Sequence, residues 1–150
     1  MRVYLVVIDE TQEARSALRF AARRARDTGG QVHLLAMVPR QAFNAFGGVQ
    51  ATIEEEARDR AEMLASGAAG ELMSESGQMP QITVKVGDGK TVIGEYLAEH
   101  PEVAALVLGA AGDGNPGPLV THFSAHAGSL PCPMFIVPGG LSDEEIDRLS

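Results

Sequence analysis

Five short apolar runs, separated by stretches of helical periodicity, constrain this chain more than anything else in it. The runs are Val3–Ile8, Val32–Val38, Ile82–Val86, Val103–Leu108 and Met134–Val137. Each has the length of a strand and is too short for a typical core helix. Between the first two, Ala14, Ala17, Leu18, Ala21, Ala22 and Ala25 recur at the spacing of one helical face, and Thr28-Gly29-Gly30 stops the pattern. Residues 51–73, rich in Ala and Glu, predict a second helix. A third runs from Lys90 to His100, where Pro101 ends it. A fourth starts at Pro118, a favourable first helical residue, and fades at Gly128. Alternation of this kind specifies an α/β fold: an open, doubly wound sheet of five parallel strands with helices on both faces.

Strand chemistry separates centre from edge. Val3–Ile8 and Val103–Leu108 are almost wholly apolar, as strands covered on both faces are. Gln81, Thr83 and Lys85 alternate with Ile82, Val84 and Val86, which suits an edge. No repeat or linker divides the chain, and 150 residues are enough for one well-buried domain. We expect that domain over residues 1–138, followed by an acidic tail at 139–150. There Ser142-Asp-Glu-Glu145 has the form of a helix capping box.

Composition then removes function classes. With 45% hydrophobic and 21% charged residues the chain is not disordered. No apolar run approaches the roughly 20 residues of a spanning helix, so no membrane role is expected. Val3–Ile8 is also too short for a signal core and runs into Asp9-Glu10. The lone Cys132 cannot form an internal disulfide, which points to the reducing cytoplasm. Twelve basic against twenty acidic residues, a net charge of −8, argue against a nucleic-acid partner.

Two features sit where α/β sheets bind ligands, at the carboxyl ends of strands where the strand order reverses. Asp9 and Glu10 follow the first strand. Gly109-Ala-Ala-Gly112-Asp-Gly114-Asn-Pro-Gly117 follows the fourth. Glycines allow close approach of a ligand, and successive loop N–H groups with a helix N-terminus behind them suit phosphate oxygens. The same residues have blander readings: Asp9 as a helix cap, and the loop as a connection stiffened by Pro116 and Pro118.

Val6-Val7-Ile8-Asp9, the helix carrying Ala17-Leu18 and Ala21-Ala22, Val32-His33-Leu34-Leu35, Gly109-Ala-Ala-Gly112 and Pro133-Met-Phe-Ile-Val-Pro138 together resemble the universal stress protein family. The resemblance covers residues 3–138 and implies strand order 3-2-1-4-5, which places strands 1 and 4 side by side. For one branch of that family it also implies bound ATP, with a magnesium requirement left open. Asp9 would then meet the adenosine, the backbone at Met37 the adenine edge, and Gly109 and Gly112 the phosphates. The family's third element, a Gly followed by Ser or Thr, is replaced here by Val120-Thr121 at a shorter spacing. Thr121 would supply the hydroxyl, and Gly114 and Gly117 substitute amides. The resulting expectation is a small stress-response binding module that takes an adenine nucleotide. A nucleotide-free interaction protein of the same fold is the alternative, and a very slow ATPase using Asp9 or Glu10 is the furthest step toward an enzyme. A homodimer through residues 133–138 is expected, because that strand would be an uncharged sheet edge.

Other candidates read as structure. Gly112 to Gly117 fits G-x-G-x-x-G formally, but no acid ends the following strand. A phospho-receiver reading of Asp9-Glu10 lacks its lysine after strand 5. Arg15, Arg19, Arg23 and Arg26 predict a solvated basic helix face. His122 and His126 stand four apart without a third metal ligand, and Phe43 and Phe46 predict packing on the second helix or a lid over the crevice.

Overall fold

A computed structural model describes residues 2–39 and 47–150, with side chains in the second stretch from Ile53 onward. Phe43 and Phe46 lie outside the described residues. The elements run β1 (Val3–Ile8), α1 (Gln12–Thr28), β2 (Gln31–Val38), α2 (Gly47–Ser76), β3 (Gln81–Val86), α3 (Gly89–Glu99), β4 (Val103–Ala110), α4 (Pro118–Ala125), β5 (Met134–Pro138) and α5 (Asp143–Leu149). The sheet is parallel, in order β3-β2-β1-β4-β5. Strands 1 and 4 are therefore neighbours, as the resemblance implied.

The strand alternation divides the core in two. Tyr4, Val6 and Ile8 of β1 pack under α1 with Val107 and Val137, while Val3, Leu5 and Val7 pack under α3 and α4 with Leu106 and Leu108. Every residue of β1 is buried, and β3 is largely exposed at its edge. Alanines let the helices come close: Ala17 and Ala21 of α1 are fully buried, and Ala57, Ala61 and Ala65 of α2 cover Ala36 and Val38.

Helix limits follow their caps. The Thr11 hydroxyl accepts the Ala14 N–H at 3.2 Å to start α1, and Gly29, left-handed at φ 66°, ends it. Asp88 caps α3 in the same way. The fourth helix is shorter than its sequence pattern: α4 stops at Ala125, and a single 3-10 turn, Ala127–Ser129, carries the chain on.

The basic face of α1 is in part paired with acids rather than solvated. Arg19 donates two 2.8 Å hydrogen bonds to the Asp147 carboxylate, and Arg23 reaches the same group at 3.3 Å. Ile146, 1% exposed, seats α5 against the rest of the chain. Half the arginine stripe is thus a docking face for the acidic tail, because α1 and the chain end share one side of the sheet.

Candidate functional site

Asp9 emerges from β1 into solvent, and its Oδ1 accepts hydrogen bonds from both the N–H (2.8 Å) and the hydroxyl of Thr11. The capping role belongs to Thr11. Asp9 braces that cap through Oδ1. Three cavities meet at Asp9. One of about 160 Å³ lies between β1 and β4 and is lined by Asp9, Glu13, Gly109, Gly117, Leu119 and Val120, among others. A second, about 290 Å³, opens toward β2 and includes Met37, Pro39, Arg60 and Leu64. The third, about 530 Å³, separates α1 from α2 and includes Arg15, Leu18, Gly67 and Glu71. A still larger groove of about 610 Å³ runs farther along α1 and α2 past Arg19 and Glu75, but it reaches neither Asp9 nor the glycine loop. The smaller crevice is the better candidate, because strand ends and an uncapped helix start converge on it.

The glycines of the loop serve different ends. A Cβ on Gly109 would stand 1.9 Å from the Glu13 carbonyl oxygen, so that position admits the first turn of α1 against β4. Gly114 and Gly117 have φ of 94° and 107°, which side-chain-bearing residues rarely adopt. The Gly117 N–H is already donated to Asn115 Oδ1 at 3.1 Å, and the Ala111 N–H to the Pro116 carbonyl at 3.2 Å. Gly112 and Gly114 lie in the outer arch and do not line the crevice. Thr121 turns away too, its hydroxyl donating to the Gly117 carbonyl at 2.9 Å. Val120 is buried, packed in the core cluster beneath α3 and α4, while forming part of the crevice wall. No side chain caps α4.

Asp9, Gly109 and Gly117 therefore come together, with Met37 one cavity away. Gly112, Gly114 and Thr121 stand outside the described cavities around Asp9. Arg15, Arg60, Glu13 and Asn115 are additions that sequence reasoning missed. Arg15 belongs to a stripe whose pattern reads as solvated, and Arg60 sits in a helix whose sequence carries no motif. Asn115, one residue before Pro116 and two before Gly117, carried the one usable signal, that of an Asx turn.

Among the described residues no group of three or more His, Cys, Asp or Glu is placed to hold a metal ion. His126 Nδ1 is spent on the His122 carbonyl at 2.8 Å. Burial pushes the Cys132 thiol up, away from the thiolate form.

No curated protein sequence is significantly similar to the chain. Solved structures are. The universal stress protein UspA from Lactobacillus plantarum superposes with a TM-score of 0.79 at 21% identity, over 91% of this chain and 97% of that one. A universal stress protein family member from Arabidopsis thaliana, solved with AMP bound, gives 0.61 at 14% identity over 96% and 95%. The universal stress protein from Archaeoglobus fulgidus in complex with dAMP gives 0.56 at 16% over 91% and 97%. At these identities the likeness speaks for the fold. The family model for the universal stress proteins matches residues 1–138, and the chain belongs to that family.

Proposed function

We propose that the crevice at Asp9 binds an adenine nucleotide and that the protein works as a binding module in the cytoplasm. The observation that carries this is the meeting of three cavities on one exposed carboxylate at the carboxyl ends of β1 and β4. The exposed Asp9 carboxylate is suited to a ribose hydroxyl. A peptide edge is offered nearby. Gly87 donates to the Val38 carbonyl, so Val38 faces β3 and the alternation of the strand turns Met37 toward β1. The β1 ladder ends at the Ile8–Ala36 pair, so the Met37 carbonyl extends past it toward the opening, where an adenine amino group would find an acceptor. The AMP and dAMP held by the two family members above accord with this class of ligand. ATP belongs to the same class, and no hydrolytic role is proposed for it.

Binding by the native fold raises the unfolding temperature by linkage. Millimolar AMP should therefore raise the melting temperature, and Asp9→Ala should remove the rise, since a lost charge-assisted hydrogen bond of about 1.5–3 kcal/mol is about 10- to 150-fold in affinity. No shift with any adenine nucleotide, magnesium present or absent, would replace this reading with that of a nucleotide-free interaction protein. The Gly117 amide already taken by Asn115 and the Val120 wall are what favour that second reading.

We also infer a homodimer through residues 133–138. Strand β5 is the outer strand beside β4, Ile136 is 41% exposed, and no charged residue occurs between Pro131 and Gly140.

A further inference from the structure

We propose that the crevice selects a nucleotide carrying one phosphate over one carrying three, an inference that rests on the adenine-nucleotide reading and narrows its ligand class. A count of donors and charges on the phosphate side carries it. Pro116 and Pro118 have no N–H, the Gly117 amide is held by Asn115, and both the N–H and the hydroxyl of Thr121 are held by the Gly117 carbonyl. The crevice is lined instead by the first turn of α4, where the amides of Leu119 and Val120 stand at an uncapped helix start. Two amides at a helix start suit the oxygens of a single phosphate. The outer arch from Gly112 to Asn115 does not line this space, so a second and third phosphate meet no cradle there.

Charge points the same way. Between Lys90 and Arg148 the chain has no lysine or arginine, so neither the loop nor α4 supplies a permanent counter-charge. The residues that line the crevice include two acids, Asp9 and Glu13. Arg15 and Arg60 line the two neighbouring cavities instead. Each phosphate beyond the first adds negative charge opposite acidic residues and meets no cation among the described residues that line the crevice.

Titration calorimetry of the full chain with adenosine, AMP, ADP and ATP, with and without magnesium chloride, tests this. AMP should bind at least fivefold more tightly than ATP in both conditions. A smaller ratio, or a preference for ATP, overturns the one-phosphate inference and leaves the adenine site standing. Failure of all four ligands removes the adenine-nucleotide reading, and this inference falls with it. Asn115→Lys, at an exposed loop position, frees the Gly117 amide and adds the first cation to the loop. It should narrow the AMP-to-ATP ratio, and an unchanged ratio would mean that missing donors and charge are not the cause.

Discussion

Two glycines of one loop, three residues apart, carry opposite burdens. Gly109 has no room for a methyl group because the α1 backbone at Glu13 lies against it, while the nearest atom to a Cβ on Gly112 would be 3.9 Å away. Gly109→Ala should therefore cost about 3 kcal/mol or more, at or beyond the upper end of ordinary overpacking, since the obstacle is backbone. Gly112→Ala should stay within about 0.5 kcal/mol. Urea unfolding of the two variants side by side checks this, and equal midpoints would contradict the packing account. In the sequence both glycines looked like phosphate contacts. Spacing shows where a side chain is missing, not whether a ligand or a neighbouring helix needs the space.

At the scale of elements, β2 and α3 are joined by a polar contact at the amino end of β2, away from the crevice. His33, 3% exposed, shares a 2.8 Å hydrogen bond with the Tyr96 hydroxyl, and His100 stacks on Tyr96 while facing Glu102. Burial chiefly, and then the nearby His100, hold the His33 imidazole below its ordinary value, with Glu102 pulling the other way. The unfolded chain thus takes up a proton that the folded chain resists. Stability from this site is complete above the ordinary histidine value of about 6.5 and is lost as pH falls through it toward the lowered folded value. Urea midpoints between pH 7.5 and 5.5 should fall for the unmodified protein and fall less for His33→Gln, and parallel slopes would clear His33. The element pattern itself was legible: five apolar runs became five strands, and their alternation became parallel pairing. The docking of α5 was not, because Arg19 and Asp147 are 128 residues apart and neither lies in a local motif. Local pattern alone puts Asp9 and the loop at two separate strand ends, and the β1–β4 pairing, implied in the sequence by the family resemblance, joins them.

For the whole molecule, the sheet has two edges with different chemistry. Strand β3 presents Gln81 and Lys85 along its edge, and β5 presents only apolar residues and one proline. Phe135 faces inward, its ring 5.3 Å from Phe20 with the Arg24 guanidinium 5.2 Å above it, whereas Ile136 faces out. Ile136→Lys should therefore turn a micromolar dimer into a folded monomer, and Phe135→Lys should damage the fold instead. Sedimentation of the unmodified protein as a monomer at that concentration would end the dimer proposal. Net charge is also unevenly placed. Residues 91–150 hold one of the twelve basic residues and eight of the twenty acidic ones, so −7 of the total −8 lies there.

The central position of β1 bears on synthesis. Its Val3–Val103 pair joins residues 100 apart, so β1 leaves the ribosome well before the strand that will cover its second side. At about 5–20 residues per second that interval is roughly 5–20 seconds. During it β1, β2 and β3 can pair with one another while an apolar β1 edge stays open. The nascent chain is therefore most exposed to mispairing after β3 and before β4, which is the stage at which a chaperone would have the most to protect.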